Sequence, residues 1–191
     1  EEAFLQAGIP YRIYGGQRFF ERLEIKNALA YLRLISNRHA DAAFERAVNT
    51  PTRGIGNKTL ETLREVAQAR GCSLWDAGQA IVSEQLLTAR AINALAVFLN
   101  LVDQLALQCD GLNLGETAEH VIEASGLVAF HGKEKGEKGQ QRQENLRELV
   151  SATREFGEED EDSEMDSLTA FLDHAALESG EGQADAHEDA V

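Results

Sequence analysis

An all-α fold is what this sequence predicts, with one short β-strand near its N-terminus. Apolar residues recur at three- and four-residue spacing through most of residues 21–178. Prolines number only two and aromatics make up 6% of the chain, which suits helices better than sheets. Helix-starting residues, such as Asp41, Asn57 and Ser73, stand in front of the periodic runs. A hydrophobic content of 43% over 191 residues is enough for one packed core.

Residues 2–7 read as the end of a helix and 10–14 as a strand rich in β-formers, closed by a turn at Gly15 and Gly16. A helix is predicted from Glu21, with Glu21 and Glu24 in its first turn and Ile25, Ala28, Leu29, Leu32 and Ile35 forming one apolar stripe. Arg22, Lys26 and Arg33 fall on another face. Asp41 is expected to cap a short helix ending at Val48, and Asn57 the helix that carries Leu60, Leu63 and Ala67 inward. Ser73 opens a helix bearing Trp75, the only tryptophan and an expected core anchor. Residues 86–108 are predicted as the longest helix, with Ala91, Leu95, Phe98, Val102 and Leu105 as its seam, and 116–125 as a shorter one.

Residues 131–139, HGKEKGEKG, break this pattern and read as a mobile basic loop. Helix returns over 140–156 through Leu146, Leu149 and Val150. An acidic linker follows at 158–166, then a last amphipathic helix over 167–178 using Leu168, Phe171, Leu172 and Ala175. Residues 189–191 resemble the start of a strand. No internal repeat is present.

The net charge of −15 argues at first against a nucleic-acid ligand. Its distribution reverses that inference. Residues 1–58 hold nine Lys and Arg against six Asp and Glu, whereas residues 155–191 hold fourteen acidic residues and no Lys or Arg. A basic surface on the first part can therefore coexist with an acidic tail. The N-terminus has no signal-peptide pattern, and the apolar run 91–102, interrupted by Asn93 and Asn100, is too short and polar to span a bilayer. A cytoplasmic chain without membrane contact is expected, and the two isolated cysteines, Cys72 and Cys109, suit a reducing compartment. The first residue is not Met, so an internal segment of a longer protein is expected.

The segment with the strongest chemical content is 50–59, TPTRGIGNKT. Gly54 and Gly56 let the backbone approach a ligand closely, and Ile55 between them can plug into the core. The following helix directs free N–H groups at that spot, which favours an anion. Arg53 and Lys58 add charge, and Thr50, Thr52 and Thr59 add hydroxyls. Two readings stay open: a hairpin that grips a phosphate backbone without reading bases, or a plain glycine-containing turn between helices. A second candidate is Lys133, Lys135, Lys138 and Arg142, as a phosphate-contacting loop or, given the interspersed Glu134 and Glu137, a solvated one. Phe19 and Phe20 are expected in the core, with Arg18 and Arg22 either paired to Glu21 and Glu24 or serving in nucleic-acid contact or a hinge between modules. No catalytic centre of the chain's own is expected. His120 lacks a second histidine at i+4, and neither GxSxG nor the nucleotide-binding GxxxxGK[ST] occurs.

The blocks PYRIYGG, RFFER followed by EIKNALAYLRL, NTPTRGIGNKTL, GEKGQQRQENLRELV and AFLDHAALESGEGQAD occur in that order along the chain. Together they resemble the UvrD/Rep/PcrA family of superfamily 1A DNA helicases, with the UvrD branch nearest. The resemblance implies the 2B subdomain, a helical insert in the second RecA-like motor domain (2A). It assigns 1–21 to a remnant of that motor domain, 22–184 to the insert and 185–191 to the return into the motor, with Gly15, Gly16, Arg18 and Arg22 at the junction. The family's GIG loop, which holds duplex DNA ahead of the fork, maps onto Gly54, Ile55 and Gly56, with Thr59 as a phosphate donor. ATP and Mg²⁺ would serve the parent protein, a 3′→5′ helicase of DNA repair, but not this stretch, which lacks the ATPase motifs. The partners implied are duplex or junction DNA, the rest of the motor and repair proteins. The alternative from another class is a protein-interaction or autoregulatory module without direct DNA contact.

Overall fold

Nine helices follow one another among the described residues, 18–159 and 166–179 of this computed structural model. They are α1 (Leu23–Ser36), α2 (Asp41–Ala47), α3 (Asn57–Arg70), α4 (Leu74–Glu84), α5 (Ala89–Gln108), α6 (Leu114–Ala124), α7 (Leu127–Gly132), α8 (Glu137–Glu159) and α9 (Ser167–Glu178). No strand occurs among the described residues, and the fold is all-α. The expected helix end at 2–7, strands at 10–14 and 189–191, the Gly15–Gly16 turn and residues 160–165 of the acidic linker lie outside the described residues.

Helix α1 is the axis of the packing, in contact with α2, α5, α6, α8 and α9. A helix so surrounded cannot be apolar on one stripe alone. Tyr31 and Leu34 join Ile25, Ala28 and Leu32 as fully buried residues, whereas Leu29 and Ile35 of the expected stripe are only half-buried. The helix starts at Leu23, so Glu24 lies in its first turn and Glu21 precedes it. Glu24 and Asn27 are buried too.

Several helix starts differ from expectation, each for a local reason. Asp41 is the first residue of α2 and does not cap it. Its carboxylate instead accepts the Leu74 amide (2.8 Å) at the start of α4, next to Ser73, whose hydroxyl accepts from the Asp76 amide (3.2 Å). Gly56, not Asn57, is the N-cap of α3. The long apolar helix begins at Ala89 because Gln85 closes α4 in a left-handed conformation and Thr88 caps α5. Its 20 residues make it shorter than the 23-residue α8. By length and composition α5 is long and apolar enough to cross a bilayer, contrary to the reading of 91–102. Leu95, Phe98, Leu99, Val102 and Leu105 bury one face of it in the core, and the opposite face exposes Asn93, Asn100 and Gln104.

Around Gly126 the sequence signal missed a short helix. Residues 127–132 form α7, and α8 already begins at Glu137, so only four residues separate them. His131, expected in a mobile loop, is completely buried. The C-terminal end of α1 is held by Arg38, which donates to Leu34 O and to Ile35 O (3.0 Å), pairs with Asp103 (3.1 Å) and lies over the Trp75 ring (5.3 Å). At the other end Phe19, Phe20, Phe156, Phe171 and His174 form edge-on and tilted ring pairs that fasten α9 to α1 and α8. Phe19 and Phe20 are core residues, as expected.

Replacing Phe98, fully buried against Phe44, with Ala should cost about 3–5 kcal/mol in urea unfolding. Its neighbour Val97, 64% exposed, should change stability by less than about 0.5 kcal/mol when replaced by Ala. Equal effects would contradict the orientation of α5.

Candidate nucleic-acid interface

Residues 48–56 connect α2 to α3, and this loop with the first turn of α3 is anchored from beneath by three side chains. Ile55 is 1% exposed and joins the core. Tyr31 of α1 donates its hydroxyl to Thr50 O (2.7 Å), with Ala47 O at 3.1 Å. Arg53 turns inward. Its guanidinium donates to Ala47 O (3.2 Å), Pro51 O (2.9 Å) and Ser125 O (3.2 Å), and sits 5.7 and 5.5 Å from the Tyr31 and Phe98 ring centres. Its own amide donates to Asn49 Oδ1 (2.8 Å). Three of the five N–H donors of Arg53, the residue expected to contact phosphate, are taken by the protein's own carbonyls, which gives the side chain a supporting role. The sequence could not distinguish the two, since an arginine in a turn serves either purpose.

The outward side of the same loop is unfilled. Gly54 has φ +78°, a conformation that favours glycine, although a Cβ there would meet nothing. Gly56 is in ordinary extended backbone and also has open space where a Cβ would stand. Neither φ nor internal packing asks for glycine at position 56. Gly56 O accepts the amides of Thr59 (3.0 Å) and Leu60 (3.2 Å), while those of Asn57 and Lys58 meet no acceptor among the described residues. Lys58 and Thr52 are exposed, and Thr50 is half-buried with its carbonyl held by Tyr31. Thr59 is buried, yet its hydroxyl makes no hydrogen bond among the described residues. Other basic groups of α3 are occupied, Arg64 by Glu45 and Arg70 by Glu84, both bidentate.

The second expected cluster divides. Lys133, Lys135 and Lys138 are exposed, but Arg142 lies inward, paired with Glu134 and with Glu24 (3.5 Å). Glu134 also accepts from His131 Nδ1 (2.8 Å); a carboxylate only accepts, so that nitrogen carries the proton. Hydrogen bonding from His131, aided by Arg142, holds the Glu134 carboxyl below the usual carboxylate range. The chain of contacts continues to the start of α1, where Asn145 donates to Glu24 (2.5 Å) and accepts from Arg22 (2.7 Å). Arg22 also approaches Glu148 (3.8 Å) and the Phe19 ring (5.3 Å), not Glu21 or Glu24. Arg18 is exposed, and Gly15 and Gly16 lie outside the described residues.

His39, Ser73 and Asp76 have the residue types of a nucleophilic triad but not its order. Ser73 Oγ donates to Asp76 (2.8 Å) and caps α4, so its proton points away from the His39 imidazole 3.0 Å off.

The described residues thus form an all-helical unit with a glycine loop braced on its inner side and open on its outer side. In sequence, the UvrD-like helicase C-terminal domain matches residues 1–191, and the chain belongs to that family. It is 56% identical over its whole length to DNA helicase II of Escherichia coli K12 and 54% identical to that of Haemophilus influenzae. Against the ATP-dependent DNA helicase PcrA of Bacillus subtilis, identity is 38% over 99% of the chain. The chain spans about a quarter of the length of these curated relatives (26%, 26% and 25%).

Burial pushes the Tyr31 phenol up to about 12, despite the nearby Arg53 charge. A value above the ordinary 10 stabilises the fold fully below pH 10, and that contribution is lost as pH rises through about 12. In a Tyr11→Phe, Tyr14→Phe background, phenolate absorbance should appear only near the pH of unfolding; ionisation near pH 10 in the folded chain would contradict the packing. Replacing Arg53 with Ala strips three carbonyls and two rings of their partner, and should cost roughly 2–4 kcal/mol in thermal unfolding. Lys at this position should restore little of the loss, because it has no planar fork.

Proposed function

We propose that this chain is the duplex-DNA-holding and regulatory module of an ATP-dependent DNA helicase, and that residues 54–59 grip the phosphate backbone without reading sequence. The observation that carries this reading is the contrast across one loop. Its inner side is fixed by Ile55, Arg53 and Tyr31, whereas its outer side offers the free amides of Asn57 and Lys58 beside a Gly56 that nothing in the chain crowds. A phosphate oxygen there would accept two amide hydrogens at a helix start and meet the Lys58 charge and the Thr59 hydroxyl. Relatives named as DNA helicases support the class of ligand.

The proposed organisation places 1–21 and 185–191 in the motor domain and 22–184 in the inserted module. The polar chain from Arg22 through Glu24 and Asn145 to α8 would make the junction turn with the module as one body, so that a swivel lies before Arg22. ATP hydrolysis, with its Mg²⁺, and 3′→5′ movement in DNA repair belong in this reading to the motor of the parent protein. A second reading, docking of a protein partner, is favoured by a cleft of about 1430 Å³ bordered by Asp110, Glu116, Glu119, Glu158 and Asp166. Its acidic rim repels phosphate and would suit a basic segment.

Gly56→Val should weaken duplex binding at low salt about tenfold or more while lowering the melting temperature only slightly, since the added side chain enters open space and the change is confined to a poorer N-cap. Lys58→Ala should reduce the slope of log affinity against log salt by about one. If duplex affinity survives Gly56→Val, the loop does not hold the backbone and the acidic-cleft reading takes its place.

A further inference from the structure

The turn between α7 and α8 is more basic than its sequence suggests. Read along the chain, Glu134 and Glu137 dilute Lys133, Lys135 and Lys138. In the structure Glu134 is turned inward, accepting from the buried His131 and from Arg142. The three lysines have no acidic partner among the described residues, and Glu137 is the one acidic side chain left in the exposed part of the turn. Four outward charges thus sum to +2 on six residues. The turn is also tightly formed: a Cβ on Gly139 would stand 2.6 Å from Glu134 O and 2.7 Å from His131 O, so the backbone passes too closely there for any other residue.

Its place in the fold ties it to the glycine loop. Arg53 donates to Ser125 O, and Gly126, the N-cap of α7, lies against Pro51, whose Cγ is 3.7 Å from an added Cβ. Helix α7 then runs six residues and ends at the lysine turn. At 1.5 Å per residue it is a strut of about 9 Å with the braced loop at one end and the lysines at the other. Duplex DNA carries one charge per about 1.7 Å of axis, so a single duplex offers phosphates at both ends of such a strut.

We infer that Lys133, Lys135 and Lys138 form a second contact to the phosphate backbone of the duplex proposed for residues 54–59, with buried His131 as the positioning residue that withdraws Glu134 from the turn. The inference rests on the loop reading for its ligand but not for its residues. The ligand class is double-stranded DNA backbone, without base recognition.

The test titrates the full 191-residue chain against a fluorescein-labelled mixed-sequence DNA duplex of about 20 base pairs, two helical turns, over a range of salt. Three variants are compared: Lys133/Lys135/Lys138→Ala, a charge-matched control at exposed arginines outside the turn, Arg46/Arg90/Arg147→Ala, and Gly56→Val. Melting curves check that each remains folded. The lysine variant should bind about tenfold more weakly and lose up to about 2.7 units of salt slope, near 0.9 per phosphate contact, with the arginine control unchanged. An unchanged lysine variant, or an arginine control that shifts as far, overturns the inference. If the lysine variant is unchanged while Gly56→Val weakens binding, the second contact fails and the loop reading stands. If only the lysine variant weakens binding, the loop reading fails and the lysine contact stands. An unmodified chain that binds no duplex at low salt sinks both.

Discussion

The inward turn of Arg53 is the constraint from which the rest of the candidate interface follows. One guanidinium joins the end of α2, the loop before α3 and the carbonyl at the end of α6, while resting near the rings of Tyr31 in α1 and Phe98 in α5. A planar fork with five donors suits three carbonyls in three directions, and the two aromatic faces offset its desolvation. Because Arg53 and Ile55 are fixed below, residues 54–58 are presented as a preorganised rim, and the amides at the start of α3 keep one orientation. The same contact sets where α7 begins, and so where the lysine turn stands.

A second polar system does comparable work at the start of α1. Glu24 and Asn145 are almost completely buried and would be costly alone. Arg22, Arg142, Glu134 and His131 satisfy them in a continuous chain from the first turn of α1 to the turn before α8. One cost remains, since His131 Nε2 is buried without a partner among the described residues. Losing Arg142 and Asn145 would leave the buried Glu24 carboxylate uncompensated, so these contacts act as a unit. In the proposed helicase such stiffness matters, because a module that rotates on its motor must not deform where it is attached.

Periodicity made most of the helices legible, because each buries at least one side against α1 or its neighbours, and 3.6-residue spacing records that burial. It failed where the cause was not periodic. Nothing local tells that Asp41 caps α4 thirty-three positions on, or that Gly56 rather than Asn57 starts α3. Helix α7 was hidden because LVAFHG is too short to show a helical period and ends inside the polar HGKEKGEKG, where His131 is nonetheless interior and Glu134 is withdrawn. The glycine loop was legible from its Gly-Ile-Gly pattern, including the burial of Ile55. The direction of Arg53 was not, since charge alone does not say whether a guanidinium meets a phosphate or the protein's own carbonyls.

The central claim is that backbone amides at the start of α3 meet phosphate oxygens. Backbone amide chemical-shift mapping of the isotopically labelled chain, titrated with a short DNA duplex at low salt, tests it residue by residue. The account predicts saturable shifts centred on the amides of Gly56, Asn57 and Lys58, with the acid-bordered cleft at Asp110 and Glu119 unmoved. Shifts confined to that cleft, or none near Gly56 while the duplex binds, would contradict it.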